Sequence, residues 1–144
     1  MTTKQYLQSY QNLERRYNVL IEQLRNIDNE VISLKSPGFD ERVQTSAKND
    51  PIGDIVINLV KEKGYLSMKL TECRSRMFLI RKQISEIDST DNDYYVVLLM
   101  RYILYKDWKF ICASLKMSRA QANIIHGRAL QEFDSKFNKY YAEK

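Results

Sequence analysis

Residues able to do covalent or metal chemistry are few. His126 is the one histidine, and Cys73 and Cys112 are the two cysteines. No Cys/His cluster has zinc spacing, and neither GxGxxG nor GKS/T occurs. Carboxylates lie scattered along helical faces beside Lys or Arg. No catalytic residue, no metal ligand and no cofactor is therefore expected, and the chain does not read as an enzyme. The cysteines sit at apolar positions of helical patterns, as two buried free thiols do in a reducing compartment.

The residues that could do non-covalent chemistry stand together in WKFICASLKMSRAQANIIHGRAL, positions 108–130. Arg119, Ala120, Gln121 and Asn123 crowd the start of one helix. Arg matches the acceptors of guanine and Asn the donor–acceptor pair of adenine, while short residues let a backbone approach base edges. Gly127 completes that side, and its cost inside a helix implies a close approach by a neighbouring helix or a DNA backbone. Lys109, Lys116 and Arg128 are candidates for phosphate contact, with a plain solubilising role as the alternative. Ser118 with Gln121 also fits a capping box, so Gln121 has two readings, helix cap or base contact. His126 falls on the opposite stripe, with Ala122, Ala129 and Phe133 at i, i+4, i+7 and i+11, and reads as a core histidine. Trp108 reads as a core anchor.

Two short helices, the second starting after Ser118, have the dimensions of a helix-turn-helix. Around them the sequence is helical throughout. Gly 4 and Pro 2 in 144 residues leave little room for hairpins or phosphate-cradling loops. Tyr6, Tyr10, Leu13, Tyr17, Leu20, Leu24, Ile27, Val31 and Leu34 alternate spacings of four and three, a heptad seam. Ser36-Pro37-Gly38 ends that helix. Residues 36–50 lack a period and read as a long loop, where Arg42 and Lys48 read as solvated side chains, with contact to a polyanion as the alternative. Asp50-Pro51 restarts a helix with a cap and a first-turn proline. The seam resumes at Ile52, Val56, Leu59, Lys63, Leu66, Leu70, Cys73, Met77, Ile80, Ile84 and Ile87, broken only by Lys63. A lysine there snorkels or sets register. DSTDND at 88–93 is the hinge, with Thr90 and Asp93 as a cap arrangement. A helix over about 91–105 is apolar nearly all round, and Asp107 caps the next.

The expected fold is all-α: residues 1–88 form a long antiparallel helical hairpin, coiled-coil-like, and residues 89–144 a helix-turn-helix domain with a helical extension. The narrow seam and the apolar Phe78 and Leu79 beside it fit a homodimer through the N-terminal helices, and equally a monomer whose hairpin leans on the C-terminal domain. Phe133, Phe137 and Tyr140 or Tyr141 exceed what a minimal helix-turn-helix needs, and are expected to dock back on the N-terminal helices or on a second subunit. Net charge of +5 permits nucleic-acid binding without demanding it. The polar start and the lack of a long apolar run read as a cytoplasmic protein without a membrane span.

The stretch YYVVLLMRYILYKDWKFICASLKMSRAQANIIHGRALQEF resembles region 4 of the sigma-70 family. The resemblance rests on the LLMRYI helix, on Trp108, Ile111, Cys112 and Leu115, on the start at Met117, Ser118, Gln121 and Ala122, and on the ending Ile125 to Leu130. The whole chain is similar, more loosely, to phage- and prophage-encoded regulators of Gram-positive bacteria, including ArpU-type late transcription regulators. The resemblance implies binding of double-stranded promoter or operator DNA through the helix from Arg119. It also implies contact with host RNA polymerase in a bacterial cytoplasm. Nothing resembles the part of a full sigma factor that melts the −10 element. The readings that compete are a small-terminase-like packaging protein and a coiled-coil structural or partner-binding protein.

Overall fold

A computed structural model describes residues 1–34 and 51–142. It is all-helical, with no strand among the described residues. Helix α1 runs Thr3–Leu34, α2 Pro51–Ser85, α3 Tyr94–Leu98, α4 Trp108–Leu115 and α5 Arg119–Phe137. A π turn, Leu99–Ile103, continues α3, and a short 3-10 turn, Asn138–Tyr140, follows α5. The 36–50 loop, with Arg42 and Lys48, and the expected cap at Asp50 lie outside the described residues. By contacts the chain divides into two compact units. One comprises Met1–Glu14 and Ser75–Lys144; the other comprises Arg15–Arg74.

In the unit of residues 15–74, the heptad reading selects the covered positions. Leu20, Ile27, Leu59, Leu66 and Cys73 are buried. Tyr17, Leu24, Val31, Val56 and Leu70 are half-buried. Lys63 is exposed where the seam would want an apolar side chain. Its Nζ lies 2.6 Å from Asp28 Oδ1, and both side chains remain 48% solvent-accessible. That pair fixes register more than it adds stability, because exposed pairs contribute about 0–1 kcal/mol.

The unit of residues 1–14 and 75–144 holds the broader core. Ile80, Ile84, Val97, Leu98, Ile111, Ala122, Ala129 and Phe133 are almost wholly buried. Helix α5 packs chiefly on α3 and on α4. Leu7 is fully buried although it falls one position off the α1 seam. Here α1 is covered over a wider arc. Tyr6 stacks on Tyr141 with centroids 4.6 Å apart and lies 6.0 Å from Phe133. Thr3 Oγ1 donates to Asp134 at 3.0 Å, and the Tyr141 hydroxyl donates to the same carboxylate at 2.8 Å. The aromatic tail thus docks on the N-terminal helix of its own chain, one of the two placements expected. Burial, offset in part by the Thr3 hydrogen bond, pushes the Tyr141 phenol up to about 12. The Tyr6 hydroxyl donates to Gln83 Oε1 at 2.8 Å, and burial likewise raises its pKa.

Two local expectations need correction. The helix expected from about residue 91 begins at Tyr94 and turns π at Leu99. Neither Thr90 nor Asp93 caps it by a side chain: Asp93 stands at the N-cap position without a side-chain bond. Asn92 Oδ1 accepts instead from the Tyr94 amide at 3.1 Å. The Asx geometry two residues ahead competes with a capping box and wins here. Cys112 is half-buried rather than buried, while Cys73 is buried as expected; both are free thiols.

Candidate nucleic-acid interface

The interface candidate is built by two N-caps and one left-handed residue. Asp107 accepts from the Phe110 amide at 2.8 Å and starts α4. Lys116 ends α4 with φ 54 and ψ 50, the αL conformation that closes helices. Its backbone N–H bonds to Cys112 O. Ser118 Oγ then accepts from the Gln121 amide at 3.1 Å and starts α5. Each cap contributes about 1 kcal/mol to its helix start. Two residues, Lys116 and Met117, lie between α4 and the cap of α5, so the chain reverses within a short connection.

The buried stripe of α5 is the one its spacing gave. Ala122, Ala129 and Phe133 are 0% exposed, and Phe137 continues them. Two alanines let α3 and α4 pack close to α5, and full burial of Phe133 contributes about 2 kcal/mol. His126 lies half-buried on the same stripe. Its Nε2 is 2.7 Å from the Tyr102 hydroxyl, and the Trp108 ring meets it edge-on at 4.9 Å. Burial lowers the His126 pKa to about 4, and the positive charges of Lys4, Arg101 and Arg119 add to that. Burial raises the Tyr102 phenol to about 12, against a smaller opposing pull from Arg101. At neutral pH the pair is therefore uncharged, and the imidazole tautomer sets which of the two donates. A core histidine is what the stripe implied.

The opposite side of α5 is open. Ala120, Gln121, Asn123, Gly127 and Arg128 are all exposed, as are Lys109 on α4 and Lys116 in the connection. Ser118 is committed to capping, and it holds the Gln121 backbone; the Gln121 side chain stays exposed. Gly127 has nothing within 4 Å of where a Cβ would stand, so no neighbouring helix accounts for it. Arg119 behaves differently from its neighbours. Its guanidinium lies 4.4 Å from the centroid of the Trp108 ring. Arg101 sits 5.1 Å from that same centroid. Trp108 is thus only half-buried, and it carries two guanidinium groups as well as anchoring α4.

Sequence reasoning missed three members of this surface. Ile124, 56% exposed, stands near the middle of the open side, between Gln121 and Arg128. Gln131 extends that side by one turn. Arg101 was hidden inside an apolar run. For Ile124 a signal existed: it is two positions from Ala122 and cannot share the buried stripe. For Arg101 none did, because only the π turn and the position of Trp108 bring it to the ring.

Among the described residues no group of three or more His, Cys, Asp or Glu could hold a metal ion, and no helix is long and apolar enough to cross a membrane. Set against known protein families, curated proteins and solved structures, the chain matches none of them.

Proposed function

We propose that this chain is a sequence-specific binder of double-stranded DNA that regulates transcription, with α4 and α5 as a helix-turn-helix and α5 as its recognition helix. One observation carries the reading. Helix α5 buries Ala122, Ala129 and Phe133 completely and leaves Ala120, Gln121, Asn123, Ile124, Gly127 and Arg128 open on the other side. A recognition helix needs that division: one face held rigidly, the other short or polar enough to reach base edges. Asn123 and Gln121 suit adenine, and Ile124 suits a thymine methyl. Arg119 suits guanine or a phosphate. Lys109, Lys116 and Arg128 suit phosphates, none of them having a carboxylate partner among the described residues.

The wider reading follows the resemblance to sigma-70 region 4: a phage or prophage regulator acting with host RNA polymerase in the bacterial cytoplasm. The N-terminal helices serve as an antiparallel hairpin and a homodimer region. The Tyr6–Gln83 and Asp28–Lys63 contacts support the antiparallel order, since the lower-numbered partner rises as the other falls. Exposed Ile57, Val60 and Met68 on α2 recur at helical spacing and support self-association. A two-fold dimer implies paired half-sites separated by about one DNA turn or multiples of it.

The test is capture of genomic fragments at about 150 mM salt, where nonspecific phosphate binding has weakened steeply. Wild type is compared with Arg119→Ala/Asn123→Ala. Enrichment of a few promoter-proximal fragments, lost in the variant, is the expected result. Equal recovery of all fragments by both proteins would refute the reading.

A further inference from the structure

The unit of residues 1–14 and 75–144 holds a pocket that the DNA reading does not use. Gln8, Gln11, Arg101, Tyr102 and Tyr105 line a space of about 210 Å³. Two pieces of uncommon backbone shape it. Arg101 and Tyr102 belong to the π turn Leu99–Ile103, and Tyr105 follows with φ 56. A bulky residue in the left-handed region is strained, and both features concentrate where a protein holds a ligand.

The polar groups of the pocket divide into engaged and unengaged. The Tyr102 hydroxyl is taken by His126, and the Tyr105 hydroxyl donates to Glu14. Arg101 has five N–H donors. One guanidinium nitrogen, Nη1, bonds to the Lys106 carbonyl at 3.2 Å, and the face of the group lies over Trp108. No carboxylate pairs with Arg101 among the described residues. Gln8 and Gln11 stand three residues apart on α1, and neither side chain makes a hydrogen bond there. What remains open is one cation and two amides.

We propose that this pocket binds a small molecule carrying a carboxylate or phosphate group, with Arg101 taking the oxyanion and the Gln8 and Gln11 amides orienting it. A guanidinium with free in-plane N–H groups matches two oxygens of either group. The space is below the 300–1,000 Å³ common for drug-sized ligands, so the ligand is of small-metabolite size. The Glu14 carboxylate, bonded to a lining residue, disfavours a polyphosphate. Positive charge at Arg101, Lys4 and Arg119, already felt by His126, makes the locality receptive to an anion.

Trp108 is the one tryptophan and lies against the same guanidinium, so it reports occupancy. The full chain at neutral pH and constant ionic strength is titrated separately with acetate and inorganic phosphate, with chloride as the control. Tryptophan emission and the side-chain amide NMR signals of Gln8 and Gln11 are read together. The expected result is a saturable change in the millimolar range with at least one oxyanion; which one responds distinguishes a carboxylate ligand from a phosphate. Arg101→Gln should weaken it about tenfold, the scale of one lost charge-assisted contact. Gln8→Ala/Gln11→Ala should weaken it severalfold without disturbing the fold, both side chains being exposed and unbonded. If Arg101→Gln unfolds the chain, the glutamine variant alone decides. A linear response equal to that of chloride, or a saturable one that survives the glutamine variant, would overturn the proposal. It stands apart from the DNA reading: failure to enrich fragments would leave the titration unaffected.

Discussion

The His126–Tyr102 pair makes stability depend on pH in a defined window. In the folded chain the imidazole titrates at about 4, lowered by burial and then by Lys4, Arg101 and Arg119. In the unfolded chain it titrates near 6.5. Between these values the unfolded state binds the extra proton, so stability falls as the pH is lowered. The contribution is fully present above about pH 6.5, is lost progressively towards pH 4, and changes no further below that. A full separation of that size would correspond to about 3 kcal/mol, at about 1.36 kcal/mol for each pH unit. Solvent at the half-buried ring screens part of this, leaving about 1–2 kcal/mol. Because His126 is the one histidine, its Cε1–H resonance reads the folded pKa directly. Denaturant unfolding at several pH values reads the linkage. Carboxylates titrate in the lower part of the same range, so the comparison is with His126→Gln. Its amide oxygen can still accept from Tyr102, but it does not titrate. The difference between wild type and His126→Gln should therefore diverge across pH 6.5 to 4 and run parallel elsewhere. A folded-state pKa near 6.5, or parallel curves throughout, would refute the argument that the imidazole is held neutral on the buried side of α5.

Ser118→Ala should lower stability by about 1 kcal/mol, read as a reduced urea midpoint at unchanged m-value, because the Gln121 amide loses its acceptor. Lys116→Gly should raise stability by up to about 1 kcal/mol by relieving the left-handed residue, while weakening DNA retention and reducing its salt dependence by about one phosphate contact. Gly127→Ala should stabilise by about 0.5–1 kcal/mol, since a methyl group there meets nothing and the backbone is not at positive φ. The same substitution should reduce affinity for the captured operator fragment if a DNA backbone is what approaches Gly127; unchanged affinity in a gel-shift titration would remove that residue from the interface.

Much of the fold was legible because apolar spacing is a direct record of burial. Every seam position described on α1, from Tyr6 to Leu34, is buried or half-buried, and the i, i+4, i+7, i+11 stripe of α5 is covered along its length. The caps at Asp107 and Ser118 were legible for the same reason: a short oxygen-bearing side chain before an apolar run has one local use. The start of α3 was not. DSTDND offers several acceptors, and the choice of Asn92 over Thr90 depends on how the chain enters the core. The π turn was also invisible, since an apolar run such as LLMRYI has no period that separates 3.6 from a wider winding. Lys63 was half legible: its break in the seam was plain, but its partner Asp28 lies on another helix.

The site was legible in kind and less so in arrangement. Counting residues around α5 places Arg119 three positions from Ala122, on the flank of the buried stripe, and its side chain lies over Trp108 of the preceding helix. A cation on an aromatic face is held by a contact that helical spacing does not encode. The consequence is a surface with two characters. Asn123 and Ile124 project from α5 with only their own helix to orient them, and Gly127 leaves the backbone bare between them and Arg128. Arg119 is oriented by α4 through Trp108, and Trp108 is itself shared with Arg101 from the π turn. Arg101 and Arg119 thus both lie against one ring. The pocket around Arg101 and the start of α5 at Arg119 in this way share Trp108. An anion seated at Arg101 would reduce the positive charge beside Arg119 without touching Asn123 and Ile124, the residues proposed to read adenine and thymine.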